Sequence, residues 1–135
     1  MAAIARPADA GMDTTTAMFA DQITGLVLGE NVAQNDPLYI KGSDGKVYKS
    51  SGAAVAEAAN FIGIAPRAGL AGQPITIFGM GVRLRIAAAG TLTPGSKVFL
   101  GAVAGGYDTA AQAGDATGIA RAITDTDIVI TRVAM

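Results

Sequence analysis

The sequence predicts an all-β chain: a small β-sandwich or barrel built from two related halves, with an extended N-terminal arm. Three observations carry that expectation. A strand–turn–strand order occurs twice along the chain. Val82-Arg83-Leu84-Arg85-Ile86 alternates apolar and charged residues with the period of two that a strand requires. Short apolar runs are separated at regular spacing by Gly, Asp, Asn and Pro, which gives about nine to eleven short strands.

The elements follow in chain order. Residues 1–22 are rich in Ala, Thr and Asp, and Pro7 and Gly11 interrupt any pattern. They read as an extended arm with sparse apolar anchors at Ile4, Met12, Met18 and Phe19, either a disordered tail or a segment that orders on a partner. A short helix within residues 14–22 fits, capped by Asp13 or a nearby Thr. From Ile23 to the C-terminus the signals are those of one β domain. Residues 23–28 form a strand, and Gln34-Asn35-Asp36-Pro37 is a turn, because Asn and Asp bond their own backbone and Pro fixes φ. Residues 38–41 and 47–49 pair across a hairpin whose Asp44-Gly45 step favours a tight turn. The Ala-rich stretch 53–60 reads as a loop or helical turn. Residues 61–66 form a strand ended by a Pro, and residues 75–78 form a strand broken at Gly79-Met80-Gly81. In 82–86, Val82, Leu84 and Ile86 share one face while Arg83 and Arg85 share the other.

The order then recurs. Asp36-Pro37-Leu38-Tyr39-Ile40 is answered by Ser96-Lys97-Val98-Phe99-Leu100, and Gly45-Lys46-Val47-Tyr48 by Gly105-Gly106-Tyr107. Phe61-Ile62-Gly63-Ile64-Ala65 is answered by Ala116-Thr117-Gly118-Ile119-Ala120, and Ile75-Thr76-Ile77 by Ile128-Val129-Ile130. The halves divide at about 23–86 and 87–135, and a repeated β unit of this size suggests two half-barrels or half-sandwiches packed together.

Composition excludes whole classes of chemistry. Half of the residues are hydrophobic, much of that Ala, and aromatics are few, so the core falls to Val, Ile and Leu. Ten basic residues against eleven acidic leave no basic excess for nucleic acid or an anionic membrane. There is no Cys and no His, which removes disulfides, thiolate ligands, the commonest metal ligand and the commonest general base. The expectation is a protein that is not an enzyme and holds no cofactor or metal. The first residues lack the basic end and apolar run of a secretory signal. No apolar run approaches the roughly 18–20 residues of a membrane span. The chain therefore reads as soluble and made in a reducing cytoplasm.

Three local motifs invite a chemical reading. Gly79-Met80-Gly81 opens like a dinucleotide fingerprint, but no third Gly follows in place, so a bulge or tight strand crossing is expected. Asp125 and Asp127 lack the oxygen-rich loop of a calcium site and read as a solvated turn. Arg83 and Arg85 make a small basic stripe, either solvent-facing or a pairing surface for an acidic partner or a neighbouring subunit.

Several of these stretches together resemble the capsid decoration, or cement, proteins of tailed bacteriophages. They are Asn35-Asp36-Pro37-Leu38-Tyr39-Ile40, Gly45-Lys46-Val47-Tyr48-Lys49, Phe61-Ile62-Gly63-Ile64-Ala65 and Gly72-Gln73-Pro74-Ile75-Thr76-Ile77, leading to Gly79-Met80-Gly81-Val82. Leu92-Thr93-Pro94-Gly95-Ser96-Lys97-Val98-Phe99 and Thr117-Gly118-Ile119-Ala120 continue the likeness, which covers roughly residues 24–133 and not the N-terminal arm. The resemblance implies a structural virion protein on the exterior of an assembled shell, with the major capsid protein and its own copies as partners, often as a homotrimer. It carries no catalytic residues. Capsid or subunit contact is then expected at Ile4, Met12, Met18, Phe19, Arg83 and Arg85. The alternative is a carbohydrate- or host-surface-binding β module of a phage fibre or spike, which an exposed aromatic platform would favour.

Overall fold

A computed structural model describes residues 3–133. Among these residues the strands are β1 (Gly11–Met12), β2 (Gln22–Val27), β3 (Pro37–Ile40), β4 (Val47–Lys49), β5 (Gly63–Ile64), β6 (Pro74–Phe78), β7 (Arg83–Arg85), β8 (Lys97–Leu100), β9 (Tyr107–Asp108), β10 (Ala120–Ala122) and β11 (Asp127–Ile130). One short helix, α1 (Thr14–Ala17), and one 3-10 turn, Glu57–Ala59, accompany them.

The strands form two antiparallel sheets with one shared plan. The first runs β2-β6-β5-β3-β4 and the second β1-β7-β11-β10-β8-β9. Without β1, each sheet has the same order of four repeated strands, flanked by a lead strand that pairs with the last of them. The recurrence in the sequence therefore maps strand on strand: β3 on β8, β4 on β9, β5 on β10 and β6 on β11. Backbone constraints recur as well. Asn35, just ahead of β3, has φ 70°, and Gly95, at the equivalent place ahead of β8, has φ 87°. Asn is among the few side chains that tolerate this left-handed region, so the first half keeps the turn without Gly.

Each sheet joins its own edges. In the first, the chain leaving β2 places Leu28 in a parallel bridge with Val47 of β4, so the two edge strands meet. Leu28, Leu38, Val47, Ala65, Ile75 and Ile77 pack together there, nearly all of them without solvent exposure. Full burial of an aliphatic side chain of this size is worth about 1.5–3 kcal/mol. In the second sheet the N-terminal segment does the joining. Ala3 bridges Asp108 of β9, while Gly11 and Met12 pair with Arg85 and Leu84 of β7. The larger core lies on this side, around Leu84, Ile86, Val98, Leu100, Ile128 and Ile130, and Phe61 and Ile64 from the first sheet enter it.

Hydrogen bonds stitch the seam between the sheets. The buried Tyr107 hydroxyl donates to the Asn35 carbonyl at 2.6 Å, and Asn35 Nδ2 donates to the Arg85 carbonyl at 3.0 Å. The Gly52 N–H donates to the Gly101 carbonyl at 2.8 Å.

Four expectations change in detail. Residues 82–86 alternate as expected, with Val82, Leu84 and Ile86 fully buried, but they belong to the second sheet and not to the first half. The division falls between Phe78 and Arg83 because β7 pairs with β11 through Ile128↔Leu84. The strand expected over 116–120 begins only at Ala120, since Gly118 sits at φ 93° and cannot continue a pleat. The strand expected over 61–66 is confined to Gly63–Ile64. Finally, residues 3–13, expected as an arm apart from the domain, lie along the chain's own second sheet. The backbone donors and acceptors of β7 and β9 at that edge are satisfied by the segment, which is why it lies there.

Candidate functional site

The site begins where the N-terminal segment crosses from the second sheet to the first. The Asp13 N–H donates to the Arg83 carbonyl at 2.8 Å, anchoring the end of β1. Asp13 then caps α1, its Oδ1 accepting the Thr15 N–H at 2.9 Å. One turn later the chain bends through residues 18–20 and enters β2. Asp21 exchanges backbone hydrogen bonds with the Gly79–Gly81 stretch: its N–H donates to the Met80 carbonyl at 3.2 Å, and its carbonyl accepts from Gly79 at 2.7 Å. A Cβ on Gly81 would lie 3.7 Å from Ala20 Cα, and φ there is 95°. Gly79-Met80-Gly81 is thus a close crossing of two chain segments. No phosphate-binding helix opens there.

This bend leaves an apolar cleft of about 230 Å³. Met12, Ala17 and Met18 line it from the N-terminal segment, and Pro66 and Phe78 from the first sheet. Gln22 and Gln34 edge it, each held by a carbonyl: Gln22 Nε2 donates to Ala17 at 3.2 Å and Gln34 Nε2 to Pro66 at 3.2 Å. Among the described residues no charged side chain lines it. A second, wider depression of about 520 Å³ continues past Pro66 and Phe78 along β6 to Thr76 and Arg67.

The six residues expected to make contacts divide three ways. Ile4 and Met12 are partly buried against the chain's own larger core. Met18 and Phe19 stand in solvent, 73% and 84% exposed, with Phe19 next to the cleft in sequence but outside its lining. Arg83 and Arg85 each have a carboxylate within the chain, Asp127 at 2.9 Å and Asp9 at 3.2 Å. Burial of the apolar pair explains the first group: the N-terminal segment finds its pockets on its own domain. Asp125 accepts the Gly90 N–H at 2.7 Å and Asp127 is committed to Arg83, so these two carboxylates serve a turn and an ion pair.

Tyr39 and Tyr48 form the nearest thing to an aromatic platform. Their ring centroids are 6.2 Å apart, tilted by 37°, and both side chains are half-buried. The Tyr48 ring lies against Gly29, with Lys41 Nζ 4.8 Å from its centroid and its hydroxyl donating to Asp44. That hydrogen bond raises the Tyr48 phenol above its ordinary value and lowers the Asp44 carboxyl, to which the Lys46 N–H also contributes. Desolvation raises Tyr39, with Glu57 adding to it. Among the described residues no group of three or more His, Cys, Asp or Glu is placed to hold a metal ion. No helix there is long and apolar enough to cross a membrane.

Sequence reasoning missed the seam, where Arg6 pairs with Asp36 at 2.8 Å and the Asn35 carbonyl accepts from Tyr107, and it missed Pro66, Phe78 and Gln34 as cleft walls. Gln34, Asn35 and Asp36 are neighbours in one turn, but Arg6, Pro66 and Phe78 come from separated segments and share no motif with it. The Asn35-Asp36-Pro37 turn was the one visible signal, and it pointed only to local geometry. No protein-family model matches the chain, and no curated protein matches it.

Proposed function

We propose that this protein is a structural virion component that binds the outer surface of an assembled phage capsid and stabilises it, without catalysis. The carrying observation is the exposed Met18–Phe19 step beside an uncharged apolar cleft, on a β body whose strand motifs resemble those of capsid decoration proteins. Apolar groups left in water on a small protein mark a contact surface when they gather in one place. A ligand that binds the assembled lattice and not its separated subunits stabilises the lattice by mass action. Many weak sites acting together give firm decoration from modest single-site affinity. On this reading the protein is made in the host cytoplasm, its partners are the major capsid protein and its own copies, and the copies stand as homotrimers.

The test is incubation of the purified chain with undecorated shells. Expected are regular added density in negative stain and a higher temperature of shell disruption. Shells that stay bare at saturating protein would end this reading. The second reading, a carbohydrate-binding module of a fibre or spike, draws on the Tyr39–Tyr48 pair. Glycan binding that Tyr39→Ala abolishes would favour it.

A further inference from the structure

We infer that the cleft beside α1 receives Phe19 of a second copy of this chain. The inference rests on the reading above, in which copies stand side by side on a shell, and deepens it by giving Phe19, within that contact surface, the contact between neighbouring copies. Three observations carry it. Phe19 is 84% exposed although it is the largest apolar side chain in its segment, so the described residues of its own chain leave it uncovered. The cleft, about 230 Å³, is lined by Met12, Ala17, Met18 and Phe78 and has room for an aromatic ring. Among the described residues no charged side chain lines it, and the chain's net charge is only -1, so neither a charged ligand is selected nor a second copy repelled.

A second copy brings the matching knob at the concentration of the hole itself. Aromatic side chains seated in desolvated pockets are the usual energetic centre of such contacts. One ring in one cleft buries far less than the roughly 1,200 Å² of a stable interface. The contact is therefore weak between free copies and strengthens where a lattice holds them adjacent.

The absence of cysteine makes trapping unambiguous. Ala20→Cys and Thr14→Cys variants, both keeping Phe19 and of different tag length, are prepared separately and mixed under mild oxidation. Thr14 lines the cleft and is exposed, and Ala20, half-buried beside Phe19, takes a Cys with little added bulk. Expected is a mixed disulfide dimer in clear excess over either homodimer. Untagged wild-type chain should compete it away, and Phe19→Ala protein should compete roughly tenfold or more less well. A mixed dimer at no more than the collisional share, in solution and on shells, overturns the inference. If that happens while wild-type protein still decorates shells, the capsid reading survives without the self-contact. A mixed dimer alongside shells that stay bare supports the self-contact and ends the capsid reading.

Discussion

Arg6 Nη2 lies 2.8 Å from Asp36 Oδ1, an ion pair that ties the start of the chain to the seam between the two sheets. Arg6 also donates to the Gln34 carbonyl at 2.8 Å and to the Gly105 carbonyl, and its guanidinium stands 5.6 Å from the Tyr107 ring centroid. One planar side chain thereby touches the turn before β3, the turn before β9, and β9 itself. Lysine has neither the reach nor the fork to do this.

Arg6→Ala should leave the Asp36 carboxylate, only 5% exposed, without its counter-charge. The expected loss is about 2–3 kcal/mol, less than for a fully buried pair because Arg6 keeps 24% of its side chain in water. Asp36→Asn added to Arg6→Ala should restore part of that loss. Urea unfolding of the three variants measures it, and additive losses would show the two residues to be uncoupled.

Leu28→Ala removes a side chain packed in the core beside the point where the first sheet closes on Val47, at a site with no solvent exposure. A cost of about 2–5 kcal/mol is expected from lost transfer energy and the cavity left behind. Phe19→Ala, at an 84% exposed position, should change the stability of the isolated chain by less than about 0.5 kcal/mol. Thermal melts that rank these two variants the other way would contradict the assigned core.

Gly114→Ala should be costly for a steric reason. An added Cβ would run into the Ala54 carbonyl oxygen, which is backbone and cannot swing aside, and would stand 3.0 Å from Ala59 Cβ. The loops around Gly52 and Gly114 are tied by the Gly114 N–H donating to the Gly52 carbonyl at 2.9 Å. Roughly 1–3 kcal/mol of destabilisation is expected from this overpacking. Gly72→Ala, where no atom comes within 4 Å of the new Cβ, suffers only from its φ of 90° and serves as the control.

Acid and base should act on opposite members of the Asp44–Tyr48 pair. Asp44 is held below its ordinary value, so its contribution is present above the unfolded aspartate range and is lost as pH falls through the lowered folded value. Tyr48 is raised, so its contribution is present below its ordinary value of 10.0 and is lost as pH rises through the raised folded value. Burial raises Tyr107 in the same direction and more strongly, so its phenol should ionise only as the chain unfolds. Ultraviolet titration of the phenolates against unfolding measures this. In Tyr107→Phe the step coincident with unfolding should vanish, and a normal titration of all three tyrosines in folded wild-type protein would refute the assignment.

Local chemistry is what the sequence by itself determined. Strand alternation in 82–86, the Asp44-Gly45 hairpin, the Asn35-Asp36-Pro37 turn and the doubled strand order all follow from φ preferences and side-chain period, which neighbouring residues set. Partnership was decided only in three dimensions. Nothing within residues 82–86 says whether Leu84 meets Ile128 or Ile77, because both offer the same apolar face. Ile4 and Met12 looked like anchors awaiting a partner because an isolated polar segment cannot bury them. The edges of β7 and β9, distant in sequence and adjacent in space, supply that burial within the chain. The cleft has the same origin: Ala17, Pro66 and Phe78 become neighbours only when β2 pairs with β6 and the N-terminal segment crosses at Gly79–Gly81. Long-range closure, and not residue type, made those walls.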